Sequence, residues 1–176
     1  MNKRSLLAAA VAASTCLPFG SAIAATAGPS NFNVTATLAN FCTVSAANVA
    51  FGAVNAGAAA TNTASSVSLT CNKGAAVTAL VLSDGSNASG TQKRMKEPVS
   101  GDFLNYKIDQ PTGATFTTCP AAGAGPEWNA SGIVATPLFT AAGGLKLITI
   151  CASIPAGQFP SAGSYSDTVS VTATYN

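Results

Sequence analysis

From Tyr165 to Tyr175 the chain alternates with a period of two. Tyr165, Val169, Val171, Ala173 and Tyr175 fall on one side of an extended backbone, and Ser166, Thr168, Ser170, Thr172 and Thr174 fall on the other. Residues that favour strands make up the run, so it predicts a β-strand with one buried face. The sequence ends one residue later, at Asn176. A strand this long and this apolar on one side needs a neighbour along each edge, or a device that blunts the open one. Where its last neighbour comes from bears directly on function.

The same period recurs upstream. Phe32, Val34, Ala36 and Leu38 alternate with Asn33, Thr35 and Thr37, which predicts a strand of this domain or an arm that pairs with another molecule. Cys42–Ser45 and Val49–Phe51 read as short strand pieces, and Gly52–Asn62 as a loop. Ser65–Cys71 is a strand with Val67, Leu69 and Cys71 on one face, followed by a turn at Asn72–Gly74 and an apolar strand at Ala76–Leu82. Asp84–Gly90 is a loop of turn residues. Phe103–Ile108, Thr115–Thr118 and Leu145–Cys151 have strand patterns, while Pro120–Gly132 is a Gly/Ala/Pro-rich connection that holds the only tryptophan, Trp128. No amphipathic helix is legible after the first two dozen residues. About seven short strands with turn signals between them predict an all-β sandwich.

Those first residues read as a leader. Met1–Arg4 is basic, Leu6–Phe19 is apolar with Pro18 near its end, and Ser21–Ala25 supplies small residues for cleavage after Ala24 or Ala25. The apolar run is shorter than the ~20 residues of a membrane span, which disfavours an uncleaved anchor. The expected division is 1–24 leader, 25–40 N-terminal arm and 41–176 sandwich. Eight Lys+Arg, less Lys3 and Arg4, leave six against six Asp+Glu. A neutral, sparsely charged chain has no electrostatic grip on nucleic acid or anionic lipid, and weak protection against self-association. Past the leader four cysteines remain, Cys42, Cys71, Cys119 and Cys151. In an exported chain an even number favours two disulfides, with three possible connectivities. Zinc is disfavoured, since the chain has no histidine and no C-x-x-C spacing.

Catalytic chemistry finds little footing. The acids Asp84, Glu97, Asp102, Asp109, Glu127 and Asp167 are scattered, mostly in turns, and read as solvated or turn-capping groups rather than a carboxylate pair. No phosphate-cradling glycine motif or nucleophile elbow is present. The one basic cluster, Lys93, Arg94 and Lys96, reads as a solvated loop, and Trp128 as a ring covering the end of the sandwich rather than an exposed sugar platform. The expectation is a protein that is not an enzyme and carries no cofactor or metal.

Four blocks carry a resemblance to a known family: Phe32-Asn-Val-Thr-Ala-Thr-Leu38 with Cys42-Thr-Val close behind; Ser65-Ser-Val-Ser-Leu-Thr-Cys71 before a small-residue turn; Arg94-Met95 before Leu104-Asn-Tyr106; and Ile154-Pro-Ala-Gly-Gln158 before Ala162–Tyr175. In order and spacing the chain resembles the spore coat U domain family, which includes the pilins of archaic chaperone–usher pili, the Csu-type fimbriae. The resemblance implies an incomplete immunoglobulin-like β-sandwich lacking its last strand, with an N-terminal donor-strand arm. In such pilins a periplasmic chaperone lends a strand, and at the outer-membrane usher the arm of the next identical or related subunit replaces it. Carried over, the donor side chains are Phe32, Val34, Ala36 and Leu38, and the acceptor groove is edged by Tyr165, Val169, Val171, Ala173 and Tyr175. The resemblance further implies a cell-surface fimbrium that supports adhesion and biofilm formation, reaching the membrane only through the usher. A bridge between Cys42 and Cys71 would constrain the unfolded chain. Cys119 and Cys151 depart from the family pattern and are left as the remaining pair. The competing expectation is a self-contained secreted coat or carbohydrate-binding module, in which Phe32–Leu38 folds back beside Tyr165–Tyr175.

Overall fold

Ser66, Ser68 and Thr70 alternate with Val67, Leu69 and Cys71, and burial follows the alternation: the second set is enclosed while the first is not. The same logic builds each sheet in the computed structural model, which describes residues 24–140 and 143–176. The expected leader, 1–24, lies outside the described residues but for Ala24.

Eleven strands follow in order among the described residues: β1 (Cys42–Ala46), β2 (Ala60–Asn62), β3 (Ser66–Cys71), β4 (Ala76–Leu82), β5 (Arg94–Lys96), β6 (Phe103–Asn105), β7 (Lys107–Asp109), β8 (Ile133–Thr140), β9 (Gly144–Thr149), β10 (Cys151–Ile154) and β11 (Val171–Tyr175). No described residue is helical. All recorded strand pairs are antiparallel. β1 pairs with β3 and β3 with β9, while β2 pairs with β10 and β10 with β7. The Ile150 N–H donates to Ser65 O at 2.9 Å and carries the ladder across the breaks between β2 and β3 and between β9 and β10. One layer therefore runs β1, β2/β3, β9/β10, β7. The other runs β11, β4, β8, with β5 and β6 as a separate hairpin. This is an all-β, immunoglobulin-like layering.

Val67, Leu69, Val77, Leu80, Ile108, Ile148 and Ile154 meet between the layers. Trp128 closes the core at 0% exposure, its indole N–H donating to Leu80 O at 2.9 Å. The Pro120–Gly132 connection is thus a cap. Its backbone continues the β7 ladder through Trp128 N–H to Ile108 O (2.6 Å) and Gln110 N–H to Pro126 O (2.8 Å). Gly132 must be glycine: its φ is +58°, and an added Cβ would meet Val81 and lie 2.8 Å from Leu80 O. Disulfides join Cys42 to Cys71 and Cys119 to Cys151. The first links directly opposed residues of β1 and β3.

Several expectations change. Val49–Phe51 is a loop, held where Asn62 Nδ2 donates to Ala50 O (2.7 Å) and Ser65 Oγ to Asn48 O (2.7 Å). Thr115–Thr118 lies in turns and a bridge, with no strand. The run Phe103–Ile108 divides at Tyr106, because β6 pairs with β5 while β7 pairs with β10. Leu145–Cys151 divides at Ile150. β2, β5 and β8 were not anticipated.

The long C-terminal strand is shorter than its periodicity. Only Val171–Tyr175 pairs with β4 as a strand, with a shift of register between Thr174 and Tyr175. Residues 165–170 bond to two different neighbours. The Ser83 N–H reaches Ser170 O (2.9 Å) and the Ser86 N–H reaches Thr168 O (3.0 Å). The Lys96 N–H and Ser166 O meet at 2.9 Å. A segment shared between the exit of β4 and the start of the β5–β6 hairpin cannot keep one ladder.

The chain divides into two units, Met1–Thr37 and Leu38–Asn176. In the first, residues 24–37 carry no regular structure and all are exposed. The alternation of Phe32–Leu38 is therefore not spent on a strand in this chain.

Candidate functional site

β1 and β11 are edge strands of the two layers, and they approach one another along one flank of the sandwich. Between them lies a groove of about 480 Å³. Val49 and Phe51 line it from the loop after β1, and Val169 and Val171 line it from the C-terminal segment. Leu82, Met95, Ile108 and Ile150 form its floor. Val44, Val49, Phe51, Met95, Val169, Val171 and Ala173 all pack on the core yet remain only partly buried. In a finished sandwich such positions are covered by a further strand. Here these seven side chains meet solvent.

The C-terminal segment keeps its period of two even where the ladder lapses. Tyr165, Asp167, Val169, Val171 and Ala173 are half-buried, whereas Ser166, Thr168, Ser170, Thr172 and Thr174 are exposed. Tyr175, expected among the groove residues, is itself exposed. Asp167 belongs to the inward series and lines the groove with a carboxyl group. Its Oδ2 accepts from the Tyr106 hydroxyl at 2.7 Å, and its Oδ1 from the Asn87 N–H and Nδ2 at 3.0 and 3.1 Å. Gly85 passes so close that a Cβ there would strike this carboxylate. Burial, and then the bond to Asp167, raise the Tyr106 phenol far above its ordinary value, so it stays a donor.

The groove therefore offers a trough lined by both apolar and polar groups, bordered by β11, whose only strand partner among the described residues is β4. Such an edge can accept an extended segment that completes a ladder and buries alternate side chains. The described residues present no group of three or more His, Cys, Asp or Glu that could hold a metal ion.

Phe32, Val34 and Leu38 are each 84% exposed, and Ala36 is exposed as well. Val169, Val171 and Ala173 share the half-buried face of the C-terminal segment, with Tyr165 at its start. The reading of the residues missed Asp167, Tyr106, Phe51 and Met95 as groove residues. Asp167 was discoverable, since it occupies the vacant place in the inward series between Tyr165 and Val169.

Two charge expectations are corrected. Lys93 is not a solvated loop residue: it is 0% exposed, and its Nζ donates to Ser83 O (3.0 Å) and to Asp84 Oδ1 (3.3 Å), with Glu127 Oε1 at 3.9 Å. Nor are all the acids solvated. Asp109 is 1% exposed beside Lys107 Nζ at 2.9 Å, whereas Glu97, though buried, caps a turn as expected by accepting from the backbone N–H groups of Val99 and Ser100. Several of these partners are close along the chain, as Lys107 is to Asp109; what the local sequence does not reveal is the burial that the rest of the fold imposes on them.

The Spore Coat Protein U domain profile matches residues 29–172. No curated protein matches. Among solved structures, the chain is similar to one in the crystal structure of the CsuC–CsuE chaperone–tip adhesion subunit pre-assembly complex from archaic chaperone–usher Csu pili of Acinetobacter baumannii. The identity is 23%, the match covers 78% of this chain and 40% of that one, and the TM-score is 0.43. The chain thus spans about two-fifths of the solved chain it matches.

Proposed function

The chain belongs to the Spore Coat Protein U domain family, and we propose that it is a structural subunit of a secreted surface pilus that polymerises by donor-strand exchange. In this reading residues 1–24 are a cleaved leader, 25–40 the donor arm and 41–176 an immunoglobulin-like sandwich awaiting its last strand. A periplasmic chaperone holds the groove first. At the outer-membrane usher the arm of the next identical or related subunit replaces it. The fibre supports adhesion and biofilm formation, and the role involves no catalytic step.

One observation carries the proposal: the groove between β1 and β11, bordered by an edge strand and walled by apolar side chains that pack on the core yet remain partly exposed. The exposed, alternating Phe32, Val34, Ala36 and Leu38 are its natural complement. Inserting Phe, Val and Leu contributes roughly 1.5–3 kcal/mol each, and the ladder satisfies backbone groups that are costly to bury unpaired. Ordering the arm offsets part of this gain. A self-contained coat module would need Phe32–Leu38 in the sheet, and the absence of strand structure there weighs against it.

The test replaces Val34 and Leu38 together by Asp. Fibre formation and subunit–subunit stability are expected to be lost while the sandwich still folds on its chaperone. Unchanged fibres would overturn the donor assignment.

A further inference from the structure

Lys93 is the second-largest side chain among those wholly enclosed. Its Nζ faces two carboxyl groups, Asp84 Oδ1 at 3.3 Å and Glu127 Oε1 at 3.9 Å. Ser83 O, at 3.0 Å from Nζ, fixes the amine beside the Asp84 side chain. Both carboxyl side chains are a quarter exposed while the lysine is wholly covered, so the amine cannot exchange its partners for water. Among the described residues no hydrogen bond reaches the buried Glu127 Oε1. A simple ion pair needs one carboxylate; this site holds a second, unsatisfied one within reach of the same nitrogen.

We propose that Lys93 and Asp84 form an intramolecular amide cross-link, with Glu127 moving the protons. One proton passes from Nζ to the Asp84 carboxylate, leaving an amine and a carboxylic acid. The Nζ lone pair attacks Asp84 Cγ and forms the C–N bond. The Glu127 carboxylate takes a proton from the nitrogen and passes it to the departing hydroxyl, and a single water leaves. Nothing is oxidised or reduced, and no co-reactant is needed. Burial raises the pKa of the Glu127 carboxyl above its ordinary value, against the opposing pull of Lys93 and Lys107, which makes it a better proton acceptor than a solvated carboxylate. The other close pair, Lys107 and Asp109, is less suited. Lys107 Nζ already donates to Gly123 O and Gly125 O at 2.8 Å each, and it is more open to solvent than Lys93. The bond would tie the exit of β4 to the start of β5, where neither disulfide reaches.

The inference does not rest on the pilus reading, since it concerns one chain whether or not that chain polymerises. The experiment is intact mass spectrometry of the mature protein, isolated as exported, after denaturation, reduction and alkylation. The expected result is a mass short by one water and a branched peptide joining the Lys93 and Asp84 segments. Full mass overturns the proposal. A water deficit without the branched peptide also overturns it, because Asp84 cyclising onto the Gly85 nitrogen loses the same mass. Lys93→Arg and Asp84→Ala are expected to run at full mass. Glu127→Gln retains both reacting groups and is expected to slow cross-linking by about a hundredfold or more. Cross-linking in that variant at the wild-type rate would remove Glu127 from its role.

Discussion

Asp167 sits where the apolar series of the C-terminal segment would place another valine or alanine. An inward carboxylate on an exposed edge discourages pairing with an arbitrary strand, a recognised way of guarding an edge. Its cost is met by Tyr106 and Asn87, which together supply three donors. Tyr106→Phe removes one of them while conserving shape. Hydrogen bonds to charged groups contribute about 1.5–3 kcal/mol, so this variant is expected to lose about that much in denaturant unfolding of the donor-complemented subunit. A loss well below 0.5 kcal/mol would mean that Asn87 alone suffices. Lys93 makes the same point with the opposite charge, as a basic residue in a cluster that looks solvated becomes a fully enclosed side chain held by Ser83 and Asp84.

Among the elements, β1 is the exposed partner of β3. Only Cys42 is fully buried along it, and Val44 is half-covered. A strand with so little buried apolar surface contributes weakly by packing. The Cys42–Cys71 bridge compensates by joining opposed residues across the pair, at a sequence separation of 29. On the chain-entropy account such a loop is stabilised by about 3–4 kcal/mol. Replacing both cysteines by alanine, which leaves no stray thiol, is expected to cost that amount. It should also release β1 first, visible as early amide exchange in Thr43–Ala46 relative to Val67–Leu69. Equal protection of β1 and β3 in the variant would show that packing alone retains the strand.

At the scale of the molecule, the sandwich has a buried core and one flank where that core reaches solvent. Val44, Val169, Val171 and Ala173 are paired or packed on one side only. With six basic and six acidic residues after Ala24, little charge repulsion opposes association through such a flank. Expressed without a partner, the mature chain is expected to aggregate or self-polymerise. A copy of residues 30–40 appended after Asn176 is expected to yield a soluble monomer with a raised Tm, and the same copy carrying Val34→Asp and Leu38→Asp is not. A stable, soluble monomer of the unmodified chain would contradict the open-groove account.

The period-two pattern by itself determined the all-β class and the inward faces of β3 and the C-terminal segment, and the size of an indole within a Gly/Pro-rich connection pointed to the burial of Trp128. These are local facts, since a face is set by residues two apart and a cap by turn residues beside a large ring. Tertiary structure alone decided where Phe103–Ile108 and Leu145–Cys151 change neighbours, why residues 165–170 leave the ladder, and which partners enclose Lys93 and Asp109. The longest of these ladders join backbone groups dozens of residues apart, and the enclosed charges depend on burial by the packed layers. Alternation states which way a side chain points, and not which strand, loop or charge it will meet there.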